Sequence, residues 1–528
     1  MKGTLYTDGR IYTLDPAPPV VEALAVSGGR IVARGKAADL ARDFAEFERI
    51  DLGGRTVLPG FIDSHIHLAA LGMSLRRVEL RDARSLAAAV ARVSAAAARA
   101  RPGEWILGRG WDKNLWPEQR FPAKTDLDAA ARDHPVALTS KDGHLLWVNS
   151  AALVHAGLDA HSQDPAGGQI ERGPDGVPTG LLKEEARELV SRVVPPPGPG
   201  TMDTGIREAA ALLHSFGVVG VHDFEGPEVF AALQRLAASG ELRLRVWNAI
   251  PEDELSSAVS CGLRTGFGGE WLRVGPVKIF ADGTLGSQTA NMLEPFDGQP
   301  QNHGIAIHSR EELVELVGRA VVGGFWCAIH AIGDRANHWV LEAYAQHAAA
   351  SARLGARHRI EHVQVVHPGD LSTLARVNVI ASMQPVHATA DRDIADRYWG
   401  PRSRYAYAWR SLLDAGTHLA FGSDAPVETA NVMQGLFAAV ARRRPEQPPS
   451  DAWYAEETLG IAEAVRAYTT GAAFASGGER HSGTLTVGKW ADLVVLDRDI
   501  MTASADELLQ TSIAATIVAG ETVYGTGV

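Results

Sequence analysis

The sequence predicts an α/β fold: a (β/α)₈ barrel of the TIM type, a small β-sandwich domain built from both termini, and an inserted subdomain. Three observations predict this fold. Apolar β-type segments alternate with Ala-, Leu- and Arg-rich helical segments through the middle of the chain, as parallel strands joined by crossover helices do. Both ends carry short strands of a different, antiparallel style. One stretch after the first predicted barrel strand is far longer than a single crossover helix.

The two ends of the chain carry matching β-type runs separated by turn residues. Residues 1–57 contain Gly-Arg-Ile-Tyr-Thr-Leu and Arg-Ile-Val-Ala-Arg, and residues 476–528 contain Ala-Asp-Leu-Val-Val-Leu and Ala-Thr-Ile-Val-Ala-Gly. Because both ends share this character and flank a long α/β region, we expect residues 1–57 and 476–528 to form one composite β-sandwich domain.

Residues 58–72 and 201–475 are assigned to the barrel, because eight apolar segments fall in and beside these ranges. That number matches a closed (β/α)₈ barrel. The eight predicted strands are 57–67, 217–224, 242–250, 272–282, 325–334, 357–366, 377–385 and 418–426.

Residues 73–200 are predicted to form the inserted subdomain. The stretch contains Trp105, Trp111, Trp116 and Trp147 and closes on a Pro/Gly run at 195–200. Consecutive prolines cannot lie inside a helix or a central strand, so the run is read as a stiff return to the barrel. We expect this insertion to cover the barrel mouth.

Composition excludes several classes of partner. Among 528 residues, 51 Lys and Arg stand against 63 Asp and Glu, a net charge of −12, which disfavours nucleic acid and anionic lipid. The amino terminus lacks the apolar stretch of a signal peptide, and no window approaches the ~20 apolar residues of a membrane span, so a cytoplasmic location follows by default. The two cysteines, Cys261 and Cys327, form no paired motif. Any metal must therefore be bound by His, Asp, Glu or Lys.

The first predicted barrel strand ends in a His-x-His motif. Alternate residues of a strand face the same way, so Asp63, His65 and His67 are expected to point into the barrel together, and two such imidazoles can share one metal ion. Taken alone, the pair is as readily a structural pair as a ligand pair. The position of the pair at the end of an apolar strand favours the interpretation that both histidines are metal ligands.

Three further polar residues end apolar strands in the same manner. His330 closes Trp-Cys-Ala-Ile-His, His362 closes Arg-Ile-Glu-His, and Asp424 lies in Gly-Ser-Asp-Ala-Pro. Each alone could be a structural histidine or a helix cap. Because the carboxyl ends of the strands hold the active site in barrels of this type, we expect all of them to converge on one mouth.

Lys278 lies inside an apolar strand, Val-Lys-Ile-Phe, where a buried ammonium is costly unless it is paired or neutralised. Two interpretations stay open. The lysine is either in a buried salt bridge, for example with Asp282, or carboxylated by carbon dioxide into an anionic ligand that bridges two divalent cations. Together with the other predicted ligands, the second interpretation is favoured.

The order of these residues along the chain resembles the amidohydrolase superfamily with a binuclear metal centre. The resemblance covers nearly the whole chain. In detail, the sequence is similar to the subgroup of N-substituted formamide deformylases and YtcJ-like hydrolases. The phrases that carry it are Gly-Arg-Gly-Trp-Asp at 108–112, Asp-Gly-His at 142–144, Lys-Ile-Phe-Ala-Asp-Gly at 278–283, His-Ala-Ile-Gly-Asp-Arg-Ala at 330–336 and Gly-Ser-Asp-Ala-Pro-Val-Glu at 422–428.

The resemblance implies a metal-dependent hydrolase that cleaves a non-peptide C–N bond, of amide or N-formyl type, in a small molecule. Two divalent ions, with zinc favoured, would generate a hydroxide nucleophile, and Asp424 would transfer its proton to the leaving nitrogen. The implied ligands are His65, His67 and Asp424 on one ion, His330 and His362 on the other, and carboxylated Lys278 on both. Substrate contacts are predicted for Trp111, His144, Gln384 and His387. A homodimer is the default assembly.

Two alternatives remain open at this point. A mononuclear deaminase on the same barrel would not need a carboxylated Lys278. A catalytically inactive relative that serves binding or assembly usually lacks some ligands, whereas here the set is complete.

Overall fold

The computed structural model describes residues 3–118, 120–141, 144–196 and 198–525. Asp142 and Gly143 of the predicted Asp-Gly-His motif, and Pro197 of the Pro/Gly run, lie outside the described residues. The chain divides into two compact units, Met1–Leu71 with Ile206–Val528, and Gly72–Gly205. Within the described ranges, no helix is long and apolar enough to cross a membrane.

Eight parallel strands form the barrel sheet of the first unit, which confirms the predicted fold class. Each predicted segment overlaps one strand of this sheet, and strands adjacent in the chain are adjacent in the sheet. In chain order they are β1 (Phe61–Ile66), β2 (Val218–Asp223), β3 (Arg245–Pro251), β4 (Leu272–Phe280), β5 (Cys327–Ala331), β6 (Arg359–His362), β7 (Ile380–Met383) and β8 (Leu419–Phe421).

The first predicted strand, 57–67, was wrong in one respect, because the chain turns a corner inside it. Thr56–Pro59 pairs in the sandwich, and β1 begins only after Gly60. A Cβ atom on Gly60 would lie 2.3 Å from Val219 Cγ1, so only glycine fits this corner. The chain therefore passes from the sandwich to the barrel within one residue.

The helices of the first unit cover the outside of the barrel sheet with apolar faces. Arg310–Val322 shows why they form: Ser309 accepts a hydrogen bond from the Glu312 amide while the Glu312 carboxylate accepts one from the Ser309 amide, which stabilises the amino end. The helices that follow β2 to β8 are Pro227–Ala238, Leu255–Ser260, Arg310–Val322, Asp334–Gln346, Ala348–Leu354, Leu371–Arg376, Pro385–Trp399, Trp409–Asp414, Val432–Ala441, Ile461–Arg466 and Ala472–Ala475.

Both ends of the chain build one β-sandwich, as the sequence predicts. One sheet consists of Arg30–Gly35, Ala23–Ser27, Thr4–Thr7 and Glu48–Asp51. The other consists of Glu521–Tyr524, Ile513–Val518, Leu493–Leu496, Thr56–Pro59, Arg10–Tyr12 and Val20–Val21. Leu24 and Ile11 from the amino-terminal part and Leu493 and Ile517 from the carboxy-terminal part share one buried core. The short helices Ala37–Asp43 and Ala505–Leu508 complete these end segments.

The second unit has its own mixed sheet and its own core. Its strands, in sheet order, are Gly168–Arg172, Pro178–Glu184, Leu145–Val148, Val136–Ser140, Ile106–Trp111 and Val78–Glu79. Its helices are Leu86–Ala97, Lys124–Asp128, Ser150–His155 and Glu188–Ser191. Two further helices, Leu68–Leu75 and Pro199–Ser215, contain its two ends. The Pro/Gly run therefore leads into a helix at Pro199, a position that tolerates proline.

β1 and β8 are the two edge strands of the eight-stranded sheet, and the segments just beyond them join. The Asp424 amide donates to the His65 carbonyl at 2.7 Å, and the His67 amide donates to the Ala425 carbonyl at 2.9 Å. The Asp63 carboxylate accepts the His65 amide, the Ser423 amide and the Ser423 hydroxyl at 3.1, 3.0 and 2.5 Å. We call residues 63–67 and 423–425 the closing seam. It completes the barrel and brings His65 beside Asp424.

Candidate metal centre

Five polar side chains from the ends of four strands, β1, β6, β7 and β8, meet at the carboxyl side of the barrel. In each of two overlapping groups the possible ligand atoms lie within 4.8 Å of one another. One group is His65, His67 and Asp424; the other is His362, His387 and Asp424. Nε2 of His65 lies 3.5 Å and Nε2 of His67 lies 3.3 Å from Asp424 Oδ1. Asp424 is the member that both groups share.

The backbone is strained at two of these residues. His362 has φ 75° and Asp424 has φ 59°, the left-handed region that residues other than glycine rarely adopt. Such positions cost about 1–3 kcal/mol each and persist only where the surroundings enforce them. Two residues before Asp424, a Cβ atom on Gly422 would lie 2.4 Å from the His65 amide nitrogen. The chain therefore tolerates strain and tight packing to bring these side chains together.

Three buried imidazoles each have one ring nitrogen bound to an oxygen that can only accept. Nδ1 of His65 lies 2.6 Å from Glu361 Oε2, Nε2 of His330 lies 3.0 Å from the Gly283 carbonyl oxygen, and Nδ1 of His362 lies 2.8 Å from Gln384 Oε1. The proton of each neutral ring must therefore be on that nitrogen. The other nitrogen of each ring keeps its lone pair, which is the form that binds a metal ion.

His330 and Lys278 lie beside this cluster. The ring centroids of His330 and His362 are 4.7 Å apart. The Lys278 ammonium lies over the rings of Phe224 and Phe280, with Nζ 5.0 and 4.6 Å from their centroids. Lys278 is 5% exposed, and in the described ranges it has no carboxylate oxygen within 4.0 Å of Nζ.

The predicted alternative for Lys278, a salt bridge with Asp282, is not found. The Asp282 carboxylate instead accepts three backbone amides, from Asn291, Ile332 and Gly333, at 2.8 to 3.0 Å. Burial raises the pKa of Asp282 to about 7 despite these bonds. Asp282 therefore organises the loop after β5 and is not an ion-pair partner of Lys278.

The electrostatics suit a cation. Burial lowers the pKa of His65 to about 4 and that of His330 to about 3, so both rings are neutral at pH 7. Burial also lowers the pKa of Lys278 to about 8. Although burial raises it, the hydrogen bond with His67 and the nearby imidazoles hold the pKa of Asp424 well below its usual range. The neutral rings of His65 and His330 beside the ionised Asp424 carboxylate fit a divalent metal ion.

A protein-family model described as the amidohydrolase family matches residues 48–524. The chain belongs to the amidohydrolase family.

Two relatives and one solved structure support this membership. A putative amidohydrolase YtcJ from Bacillus subtilis (strain 168) is 31% identical over 98% of this chain and 99% of the relative. An N-substituted formamide deformylase from Arthrobacter pascens is 29% identical over 99% and 98%. An uncharacterized metal-dependent hydrolase from Pyrococcus horikoshii OT3 has a TM-score of 0.79 at 28% identity and covers 95% of this chain and 99% of its own. The resemblance that the motifs indicate is confirmed, and this amidohydrolase is a metal-dependent hydrolase.

Two residues predicted to contact substrate lie behind or beside the cluster. Gln384 is 1% exposed and holds Nδ1 of His362, so in this structure it supports a possible ligand from behind. His387 lies in the first turn of Pro385–Trp399, with Nε2 3.7 Å from Asp424 Oδ2. Within the described ranges that buried nitrogen has no hydrogen-bond partner. His387 is thus free to bind a metal ion or a substrate oxygen.

Trp111 and His144 belong to the second unit, and their predicted contact with substrate remains a prediction. Trp111 is 1% exposed and packs with Trp116 and Trp147, and its indole N–H donates to the Leu138 carbonyl at 2.8 Å. It is therefore part of that unit's core. His144 is exposed, and its Nδ1 lies 2.9 Å from Glu184 Oε2.

Sequence reasoning missed Arg359 and Glu361, which lie inside the barrel below the cluster. Both are fully buried, and the Arg359 Nε–H donates to Glu361 Oε1 at 2.5 Å. Although burial raises it, the Arg359 guanidinium and His65 hold the pKa of Glu361 well below its usual range. The signal was present: in Arg-Ile-Glu-His, alternation puts Arg359 and Glu361 on one face of β6, and charged residues on a buried strand call for partners.

Proposed function

We propose that this amidohydrolase cleaves a C–N bond of amide or N-formyl type in a small molecule, with Asp424 as the proton shuttle. The observation that carries the proposal is the position of Asp424, which both groups of possible metal ligands share. One relative is named an N-substituted formamide deformylase, which supports this class of bond. Cleavage of the N-formyl or amide bond adds one water and releases a carboxylic acid and an amine.

The residues that would hold divalent metal are His65, His67 and Asp424 on one side and His330, His362 and His387 on the other. Imidazole-rich donors favour zinc, and manganese, iron or cobalt also fit. When bound, divalent metal lowers the pKa of water to near neutrality and polarises a carbonyl oxygen. His387 differs from the set that the sequence implies, and its unpartnered Nε2 is the reason to add it.

Asp424 moves the proton. It is ionised at neutral pH, because its pKa lies well below the usual range, and a carboxylate must be ionised to accept a proton from the attacking water. The protonated Asp424 carboxyl group then delivers that proton to the nitrogen of the leaving amine. Since Asp424 lies 7% exposed beside three imidazoles, the proton is not lost to bulk solvent between the two transfers.

Lys278 is proposed to be carboxylated and to serve as a further anionic ligand. The neutral amine attacks carbon dioxide, a nitrogen–carbon bond forms, and one proton leaves the nitrogen. The support is its setting: the amine is buried between two phenylalanine rings with no carboxylate within 4.0 Å among the described residues, and burial favours the neutral, nucleophilic form.

The test is a hydrolysis screen over N-formyl, amide, cyclic amide, carbamate and ester substrates, with metal content measured in parallel. We expect activity on an N-formyl or amide substrate that requires bound metal. Asp424→Asn should lower kcat by about 10²–10⁴-fold, because general acid–base catalysis contributes that much. Asp414→Asn is the matched control, since Asp414 is exposed and, among the residues that the structure describes, its carboxylate pairs with Arg410 alone, across one helical turn.

Two results would contradict the proposal. Full activity in Asp424→Asn would remove the proton shuttle. A purified chain that binds no zinc or manganese, and hydrolyses none of these substrates after loading, would favour an inactive relative that serves binding.

A further inference from the structure

A chain of charged groups runs from the barrel interior to the ring of His65. Glu361 is fully buried, and its Oε2 lies 2.6 Å from His65 Nδ1. On its other side, Arg359 donates from Nε to Oε1 at 2.5 Å and from Nη2 to Oε2 at 3.0 Å. The carboxylate therefore lies between a fixed guanidinium fork and an imidazole.

Hydrogen bonds to three other residues hold the Arg359 guanidinium in place beside this carboxylate. Its Nη1 donates to Nδ1 of His222 at 2.8 Å and its Nη2 to the Ser382 hydroxyl at 2.5 Å, and Nη2 also donates to the Ser64 carbonyl. These partners lie on β2, on β7 and on β1. The guanidinium thus spans the barrel interior and fixes the position of Glu361 relative to the strand that carries His65.

The chemistry of these groups determines which nitrogen of His65 carries the proton. A guanidinium only donates and a carboxylate only accepts, so the group facing Glu361 Oε2 must be a donor, the N–H on Nδ1. The lone pair is then left on Nε2, which faces Asp424 Oδ1 at 3.5 Å.

We propose that Arg359 and Glu361 are positioning residues that hold His65 in the tautomer and orientation needed to bind metal. The inference rests on the proposed function, because it assumes that His65 is a ligand. His330 and His362 are held by a neutral carbonyl and a neutral amide, whereas His65 is held by a carboxylate. A carboxylate behind an imidazole makes the opposite nitrogen a stronger metal donor.

Glu361→Gln tests the proposal because an amide cannot satisfy both neighbours. If the amide oxygen faces Arg359 Nε, the amide N–H₂ group faces His65 Nδ1 and Arg359 Nη2, and the His65 proton is driven to the nitrogen that should bind metal. If the amide is reversed, its N–H₂ group opposes the Arg359 Nε–H. We expect the affinity for Zn²⁺ to fall about 10–100-fold.

The measurement is Zn²⁺ competition with a chromophoric chelator on the metal-free full chain. Glu457→Gln is the matched control: Glu457 is 6% exposed, and its carboxylate accepts bonds from the Ser411 amide and hydroxyl. It also removes a buried carboxylate, so an equal loss of Zn²⁺ affinity in this variant would overturn the proposal. Urea unfolding of both variants verifies that they are folded.

A second readout needs no metal. In protein labelled with imidazole-¹⁵N histidine, the His65 signal, identified by its loss in His65→Gln, is expected to report a protonated Nδ1 in the wild type. A His65 ring protonated on Nε2 would overturn the proposal. If Glu361→Gln does not fold, Arg359→Lys replaces it, since lysine keeps the charge but loses the fork.

The two levels of inference fail in different ways. If the wild type binds no Zn²⁺, the proposed function fails and this inference with it. If the wild type binds Zn²⁺ and folded Glu361→Gln binds it equally tightly, only the positioning role is wrong.

Discussion

Replacement of Lys278 by methionine should stabilise the metal-free protein. Lys278 is 5% exposed, lies between Phe224 and Phe280, and has no carboxylate oxygen within 4.0 Å in the described part of the chain. Methionine has a similar length and no charge, so it fits the same apolar setting. The native lysine therefore destabilises the folded state when no metal is bound.

The size of this cost follows from the pKa of Lys278. Burial lowers the pKa from 10.5 to about 8, an effect that Glu361 and Asp424 only partly offset. That difference corresponds to about 3 kcal/mol. At pH 7 the amine is protonated in the folded and unfolded states alike, so the folded state bears the full cost. Between pH 8 and 10.5 only the unfolded state still holds the proton, so wild-type stability rises with pH there.

The assay is urea unfolding of wild type and Lys278→Met, stripped of metal, in buffer free of carbon dioxide from pH 7 to 10.5. We expect the variant to be more stable by about 3 kcal/mol at pH 7, with the difference shrinking as the pH rises to 10.5. With Zn²⁺ and bicarbonate the order should reverse, because only the wild type can form the carbamate ligand.

The control is Lys36→Met, because Lys36 is exposed and its side chain makes no cap hydrogen bond. Its free energy of unfolding should change by less than about 0.5 kcal/mol. A metal-free Lys278→Met protein that is less stable than wild type at pH 7 would refute the reasoning, since it would mean that the ammonium is favourably paired.

Three further predictions concern other buried groups. Burial lowers the pKa of His358 to about 4, so the stability that its neutral ring contributes is present above pH 6.5 and is lost as the pH falls towards 4. The loss of unfolding free energy caused by His358→Gln, measured in urea, should therefore shrink by about 3 kcal/mol between pH 6.5 and pH 4. A difference that stays constant over this window would contradict the prediction. Iodoacetamide at pH 8 should modify only Cys261 in the native protein and both thiols in urea, because Cys327 is buried and burial raises the pKa of its thiol well above the usual range. Mass spectrometry that finds two labels on native protein would refute this. Ser423→Ala removes a 2.5 Å hydrogen bond to the buried Asp63 carboxylate and should cost about 1–3 kcal/mol in urea unfolding, whereas an unchanged midpoint would show that Asp63 is satisfied without it.

The strand pattern of the barrel could be predicted because each strand is an apolar run bounded by turn residues. The corner at Gly60 could not, since Thr56–Pro59 and β1 are both fully buried and run on with only Gly60 between them, although they belong to different sheets. Local apolarity reports burial and not which sheet a strand joins. Only the close approach of Val219 reveals the turn, and that is a long-range contact.

The site was predictable where a polar residue ends a strand, as at His65, His330 and His362. The contact between His387 and Asp424 depends on how the first turn of Pro385–Trp399 is placed, which no local pattern encodes. Strict alternation also puts Glu361 and His362 on opposite faces of β6. The left-handed backbone at His362 ends the strand, so both side chains approach His65.

The closing seam couples the binding of a cation at the site to local opening of the barrel between β1 and β8. β1 and β8 are the edges of the sheet, so a fluctuation that parts them opens the barrel there and separates His65 from Asp424 at the same time. A bound cation that contacts both residues would resist that opening by its own binding free energy. Deuterium uptake at the His67 and Asp424 amides would then report dissociation of the metal, and the rest of the sheet would remain protected.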